Sequence, residues 1–377
     1  MKKHNLKWGI LGTANIAQKA LIPAIKASRH NELHAVASRS LTKAQEFAQL
    51  NAIPNAYGSY EELLQDAAIQ AVYIPLPNDQ HKHWTIEAMK AGKHVLCEKP
   101  IGLNEQEARE MVAMAEEKQV VLMEGFMYRY HPRFARLLKL VEDGTLGNLR
   151  FIHTAFTYNI TNPNDIRLVL EFGGGALMDV GCYCIDISRQ FTGREPISVQ
   201  AQYYEGNTGI DLQMAATLDF GDNIYAQFEV SFNAFSRQLC HIAGNQGSLD
   251  IINPFISLRK STKAILTTAE ATKTIRFWRK DEYKLMVDHF NRVVSGKDQP
   301  RFPISNAIAN MKVIDALVRS AHAQGALIHL DTLPVTTPAV ETLISEPVME
   351  EVKEVAEPVI EEVKEMDSSE PGKEPVD

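Results

Sequence analysis

Lys7-Trp8-Gly9-Ile10-Leu11-Gly12-Thr13-Ala14-Asn15-Ile16-Ala17 is the stretch that decides the fold. It starts as an apolar run of strand length. At Gly12 it turns into a helical pattern with Ile16, Ala20, Leu21 and Ile25 on one face. A second strand-like run at 33–38 completes a β-α-β unit of ordinary length. The turn carries a degenerate dinucleotide fingerprint, with Gly12, Ala14 and Ala17 at the three small-residue positions. Gly12 makes the tight turn, and the two alanines still allow close backbone approach and helix–strand packing. A pyrophosphate then lies at the helix N-terminus, where free N–H groups and the dipole favour an anion. Gly12, Thr13, Ala14, Asn15 and Ile16 are the expected cofactor contacts. Small residues at such turns are common in α/β proteins, so the reading gains its weight from the repeat of strand and helix that follows.

The end of the second strand bears on cofactor type. It reads Ser38-Arg39-Ser40, with no carboxylate to accept from ribose hydroxyls. A guanidinium flanked by hydroxyls suits a 2′-phosphate, so Ser38 and Arg39 are expected to select NADP, with NAD the lesser alternative. The plain alternative is a solvated loop arginine.

Outward from this unit, strands are expected at 6–12, 33–38, 71–74, 94–97 and 120–124, and helices at 41–50, 83–91 and 104–118. That alternation means a parallel sheet covered on both faces. Beyond 124 the pattern changes to longer alternating runs at 149–159, 198–204, 212–220, 224–232 and 239–243, separated by turns such as Phe220-Gly221-Asp222-Asn223. These read as an open antiparallel sheet with helices on one face, closed by an apolar helix at 304–324. The fold class is therefore α/β: a Rossmann doubly wound parallel sheet, then an α+β domain with a large, open, mostly antiparallel sheet. The expected parts are a dinucleotide-binding domain (1–124), a substrate-binding and oligomerisation domain (125–330), and an acidic tail (331–377).

The tail holds 14 acidic residues against three lysines, a net charge of −11, which leaves about +3 for the rest of the −8 chain. Glu346-Pro347-Val348-Met349-Glu350-Glu351-Val352-Lys353-Glu354 nearly recurs at 357–365. Disorder is the expectation for such a segment. Its valines recur every three or four residues, so two short amphipathic helices serving docking or self-association are the alternative.

Composition excludes several classes. A length of 377 residues accommodates two domains and a sizeable core. The start is short and polar, and no apolar run reaches spanning length, so a cytoplasmic protein without membrane partners is expected. Four cysteines are too few for a disulfide scaffold, and Cys182-x-Cys184 lacks a second ligand cluster, so no metal is expected. The slight positive charge of the body makes no case for nucleic acid.

Two further stretches carry chemistry: Cys97-Glu98-Lys99-Pro100, just past an apolar strand, and Gly173-Gly174-Gly175-Ala176-Leu177-Met178-Asp179-Val180-Gly181-Cys182-Tyr183. A lysine past a strand is ordinarily solvated, a tyrosine in an apolar helix ordinarily core, and an aspartate near a helix start ordinarily a cap. Behind a nucleotide unit the three point to one catalytic set: Lys99, Asp179 and Tyr183. Asp179 stands one turn before Tyr183, so both project from one helical face. A phenol of ordinary pKa near 10 is a poor base at pH 7. A neighbouring ammonium is expected to lower it, with Asp179 orienting Lys99 or a sugar hydroxyl.

The chain resembles the glucose–fructose oxidoreductase, inositol dehydrogenase and rhizopine-catabolism superfamily over roughly residues 5–330. The resemblance is carried by the Gly9–Ala17 stretch, Pro77-Asn78 with His81, Ala91 to Pro100, Glu124 to Pro132, and Gly173 to Asp186. Most of the superfamily has histidine where this chain has Tyr183. Tyrosine is similar to the branch of dimeric dihydrodiol dehydrogenase and NADP-dependent xylose dehydrogenase. The resemblance implies hydride exchange between NADP and a carbinol or carbonyl of a sugar or diol. It also implies Asn78, His81, Glu98 and Lys99 near the cofactor, and a homodimer or higher oligomer built on the open sheet. Arg129 and Tyr158 are the candidate substrate contacts. A non-catalytic dinucleotide sensor of the same fold is the alternative; retention of both Lys99 and Tyr183 speaks against it.

Overall fold

The computed structural model describes residues 5–257, 259–331 and 355–357. Six parallel strands form the first sheet: β1 (Leu6–Leu11), β2 (Asn31–Ala37), β3 (Asn55–Tyr57), β4 (Ala71–Ile74), β5 (His94–Cys97) and β6 (Leu122–Glu124). Their order is β3-β2-β1-β4-β5-β6, so the strand order reverses between β1 and β4. Ligands of open α/β sheets bind at such a switch point, outside the carboxyl ends of the strands. The strands are buried runs because helices cover both faces. These helices are α1 (Ile22–Ala27), α2 (Leu41–Leu50), α3 (Tyr60–Gln65), α4 (Asn78–Lys90) and α5 (Glu105–Lys118). Local chemistry sets their ends. Asn104 caps α5 by accepting from the Glu107 amide at 2.9 Å, and Glu107 accepts in return from the Leu103 amide at 2.8 Å. Gln119, left-handed at φ 53°, ends that helix.

The second sheet is built on β7 (Leu149–Asn159), β8 (Ser198–Glu205), β9 (Asp211–Asp219), β10 (Tyr225–Ser231), β11 (Asn233–Gly244), β12 (Gly247–Ile252), β13 (Thr262–Thr268), β14 (Thr272–Phe277), β15 (Ile328–His329) and β16 (Val355–Glu357). Its order is β15-β8-β9-β10-β7-β11-β12-β13-β14-β16, antiparallel throughout except for the β7–β10 pair. Helices α6 (Pro132–Glu142), α7 (Cys182–Thr192), α8 (Glu282–Val294) and α9 (Ser305–His322) complete the chain. Helix α8 returns to the first sheet: the Phe290 ring packs tilted against Trp8 at 4.8 Å, and the Trp8 indole donates to Asn31 Oδ1 at 2.8 Å.

The differences from sequence expectation have local causes. β3 and α3 are too short to show a period. β13 and β14 are rich in threonine and lysine and lack a clean apolar alternation. Helix α4 starts at Asn78 rather than 83, because its first turns are almost wholly polar and hide the helical stripe. Within the segment expected to be a disordered acidic tail, β16 pairs with β14 at the edge of the sheet. The rest of that expectation, and the alternative of two amphipathic helices, lie outside the described residues. Among the described residues no helix is long and apolar enough to cross a membrane, and no group of three or more His, Cys, Asp or Glu is placed to hold a metal ion. All four cysteines are buried and free.

Candidate active site

A cavity of about 850 Å³ opens at the carboxyl ends of β1, β4 and β5, between the two sheets. One wall is the Thr13–Ile16 turn; the opposite wall is the Gly173–Gly175 turn and the inner face of β7. Lys99, Asp179 and Tyr183, eighty residues apart in sequence at the widest gap between neighbours, all line it. The Lys99 ammonium donates to Asp179 twice, to the backbone oxygen at 2.8 Å and to Oδ1 at 2.9 Å. It also lies 5.1 Å from the centre of the Tyr183 ring. Burial alone would lower the Lys99 pKa, but Asp179, Cys182 and Glu98 outweigh it and hold it above the ordinary value. Lys99 therefore stays an ammonium at neutral pH.

Asp179 is the hub. Its Oδ2 accepts from the Tyr158 hydroxyl at 2.6 Å and from Arg167 Nε at 3.1 Å. Burial pushes its carboxyl up, yet Lys99, Arg167 and Tyr158 together hold it well below the usual carboxylate range. Tyr183 is placed by aromatic packing. Its ring meets Phe126 at 5.1 Å, Phe255 at 5.5 Å and Phe156 at 5.7 Å. Each such contact contributes about 0.5–1.5 kcal/mol beyond area burial. Its hydroxyl approaches Met127 Sδ at 3.5 Å. Burial drives this phenol well above its ordinary pKa. The expectation that Lys99 lowers it is corrected here. The ammonium faces the ring and is neutralised by Asp179, so the phenol stays protonated.

The turn before Asp179 is held from outside. Gly175 has φ +116°, and a Cβ there would lie 2.0 Å from Asp211 Oδ1. Asp211, on β9, accepts from the Leu177 amide at 2.6 Å and so caps the turn that leads into α7. Residues Leu177–Gly181 form a π-helical turn, which projects Asp179 towards Lys99.

The residues at the other wall fit a dinucleotide. Gly12 has φ +100°, and a Cβ there would meet Leu76 at 2.9 Å, so glycine keeps this turn open. The helix that follows begins at Asn15, and its first-turn amides have no acceptor within the helix. Among the expected contacts, Thr13, Ala14, Asn15, Ile16, Asn78, His81, Glu98 and Lys99 line the cavity, and Gly12 shapes it. Ser38 is buried and Arg39 exposed at the end of β2, where the Gly12 amide bonds Ala37 O at 2.8 Å. Neither lines the cavity proper. Ser40 caps α2 through the Lys43 amide.

Other expected contacts have structural work. Asn78 Nδ2 donates to Gly173 O at 2.8 Å, tying α4 to the glycine-rich turn. His81 is fully buried, its ring nitrogens 2.8 Å from Pro100 O and 2.9 Å from Leu76 O. Burial lowers its pKa to about 4, against the two carbonyls, which pull it up, and the ring braces the Lys99-Pro100 turn. Arg129 does not reach the cavity. Its guanidinium forks onto buried Asp186, with Nε to Oδ2 at 2.8 Å, and NH2 donates to Asn306 at 2.8 Å. Arg129 is thus corrected from substrate contact to core ion pair. Tyr158 does line the cavity, but its hydroxyl is bound to Asp179.

Several lining residues escaped sequence reading. Arg167 and Asp165 come from an irregular segment without a motif, Gln238 from the long strand β11, and Tyr283 from the start of α8. Glu98 is backed by Tyr73, whose hydroxyl donates at 2.5 Å. Burial pushes the Glu98 carboxyl up against the pull of Tyr73 and Lys99.

Residues 6–126 match the family described as "Oxidoreductase family, NAD-binding Rossmann fold", and residues 134–250 match its "GFO/IDH/MocA C-terminal domain". A D-xylose 1-dehydrogenase (NADP(+)) of Haloferax volcanii is 36% identical over 329 residues, covering 86% of this chain and all of that protein. The human trans-1,2-dihydrobenzene-1,2-diol dehydrogenase is 35% identical over 253 residues, 66% of this chain and 75% of that protein. Among solved structures, a 3-ketoreductase from Actinomadura kijaniata in complex with NADP and TDP-benzene superposes with a TM-score of 0.80 at 27% identity. The match covers 84% of this chain and 98% of that one.

Proposed function

The chain belongs to the GFO/IDH/MocA oxidoreductase family, and on that premise we propose that it transfers hydride between NADP and a carbinol or carbonyl carbon of a sugar or sugar-like diol. The observation that carries this reading is the Lys99–Asp179 pair beside Tyr183, in the same cavity as the Thr13–Ile16 turn. The relatives named above support the cofactor and the substrate class through what they act on and bind.

The cofactor residues proposed are Gly12 and Thr13–Ile16 at the pyrophosphate, and Ser38 and Arg39 at the 2′-phosphate. When bound, the nicotinamide supplies or accepts the hydride. The protein's part is the proton. Lys99 is an ammonium and Tyr183 a neutral phenol, so both are donors at neutral pH. Two donors converging on one carbonyl oxygen polarise it and then protonate the alkoxide formed as hydride arrives at carbon. In the reverse direction the carbinol proton must leave to one of them, which first requires that group to lose its own. Asp179 holds the Lys99 ammonium in place.

We further propose a cytoplasmic homodimer or higher oligomer joined through the outer face of the second sheet. That face exposes the stacked pair Phe151 and Tyr225, and Glu229 flanked by His153 and Arg237. Purified protein assayed with NADP and NADPH against aldoses, keto-sugars and trans-diols tests the central reading. Turnover with at least one member, lost in Lys99→Ala, is expected. Dinucleotide binding without turnover on any member would favour the sensor reading instead.

A further inference from the structure

One cation at the cavity has no part in the proton transfer just described. Arg167 belongs to the segment 160–172, which borders the cavity between β7 and the glycine-rich turn. Its Nε donates to Asp179 Oδ2 at 3.1 Å, and its NH1 and backbone N–H both reach Asp165 Oδ1, at 3.2 and 3.0 Å. Its own carbonyl accepts from the Gly175 amide at 2.9 Å. One residue thus grips the catalytic turn at two points, by its backbone at Gly175 and by its side chain at Asp179. The other two side chains that donate to the Asp179 carboxylate stand at or in the two sheets: Lys99 two residues past β5, and Tyr158 within β7. Arg167 comes from a short 3-10 turn, Ile166–Leu168, on an irregular and largely exposed segment. Its side chain is 43% exposed, against 17% for Asp179 and 13% for Lys99.

We propose that Arg167 is a positioning residue for the reaction: by occupying Asp179 Oδ2 it keeps that carboxylate ionised and turned towards Lys99, and it does so only while segment 160–172 is seated against the cavity. The inference rests on the hydride-transfer reading above. The geometry divides the carboxylate between two tasks. Oδ1 serves Lys99, and Oδ2 must be satisfied by other donors or it will compete for the ammonium. The groups facing Asp179 are Glu98 and Lys99 after β5, Tyr158 on β7, Arg167 on the segment, and Cys182 and Tyr183 on its own helix; Asp165 faces Arg167 and Tyr158, and Tyr283 of α8 faces Glu98 and Tyr183. Lys99 and Arg167 are the two cations in this set. With Arg167 removed, the burial that favours the neutral acid is opposed by Lys99 alone among charges. Asp179 then takes up a proton at a higher pH, and a neutral carboxyl no longer holds the ammonium. The acid limb of kcat should therefore move to higher pH.

The test compares wild type, Arg167→Gln and Arg167→Lys in kcat and KM from the lowest pH at which each stays folded up to pH 9, alongside carboxyl 13C NMR of Asp179 in aspartate-labelled protein, assigned with Asp179→Asn. For Arg167→Gln, the Asp179 carboxyl should titrate about 1–3 pH units above its wild-type position and the acid limb of kcat should move up with it, with the cofactor KM unchanged. Arg167→Lys restores the charge and should recover most of that shift. A lower kcat with an unchanged pH profile would mean a merely structural part and overturns the proposal. A rise in substrate KM with an unchanged profile would make Arg167 a substrate contact and equally overturns it. If the wild type turns over no substrate, the hydride-transfer reading fails; the NMR titration still decides whether Arg167 governs Asp179. Should Arg167→Gln misfold by circular dichroism, Arg167→Lys carries the test through its titration alone.

Discussion

At the scale of single residues, the site is a set of donors whose protons are held in place. Burial holds the Tyr183 phenol up, and Asp179 holds the Lys99 ammonium. Tyr183→Phe removes one hydroxyl and leaves the ring among Phe126, Phe156 and Phe255. Turnover should fall by roughly 10²–10⁴, the range for general acid–base catalysis, with the cofactor Kd unchanged in a fluorescence titration. Combining it with Lys99→Ala should add little to the worse single, since the two act on one proton. Because both groups are donors at neutral pH, carbinol oxidation should speed up as pH rises, while carbonyl reduction slows. Initial rates in both directions between pH 6 and 10 check this; parallel profiles would contradict it. Arg39 stands exposed at the end of β2, away from the reacting groups. Arg39→Ala should weaken NADP binding by about 1–3 kcal/mol through loss of a charged hydrogen bond, and leave NAD binding unchanged. Isothermal titration with both dinucleotides measures the difference.

Elements place these residues through their ends. Lys99 lies two residues beyond β5, braced by His81 from α4. Asp179 lies on a π-helical turn whose entry is capped from β9 by Asp211. That cap depends on a glycine. Gly175→Ala would put a methyl carbon 2.0 Å from Asp211 Oδ1 on a backbone at φ +116°, so the turn must shift. The cost in stability should be about 1–3 kcal/mol, the range for a strained backbone position. Turnover should fall with little change in dinucleotide affinity, because the Thr13–Ile16 turn lies on the other wall. Urea unfolding and the cofactor Kd, measured together, separate the two effects. A parallel loss of dinucleotide affinity would show that the turn acts on the cofactor instead.

On the scale of the whole molecule, a buried charged network lies between the site and the second domain. Glu124 ends β6 and accepts from the Ile101 amide at 2.9 Å, while Arg129 is committed to Asp186. Burial pushes the Glu124 carboxyl up to about 7, against the attraction of Arg129. A folded-state value above the unfolded one means that the native state binds the extra proton. The associated stability is fully present below about pH 4.5 and is lost as pH rises towards 7. Glu124→Gln should flatten this fall, with a difference from wild type on the order of 3 kcal/mol across that window. Denaturant unfolding of both proteins at pH 5 and 8 measures it. Light scattering at micromolar concentration should give at least twice the 42.2 kDa chain mass if the Phe151–Tyr225 face is an interface; a monomer would contradict it. The alternation of short apolar strands with helices, and the Gly12 turn, were legible in the chain itself. Side-chain period and glycine freedom are local properties that need no knowledge of the rest of the fold. So were Lys99, Asp179 and Tyr183, whose residue types carry their chemistry with them. What only the tertiary structure decided is which charges meet. Arg129 stands in a motif and Arg167 in none, yet Arg129 lies paired in the core and Arg167 at the cavity. Partners such as Asp186, fifty-seven residues from Arg129, are chosen by packing, and burial with neighbouring charges sets the proton affinities of Lys99, Asp179 and Tyr183.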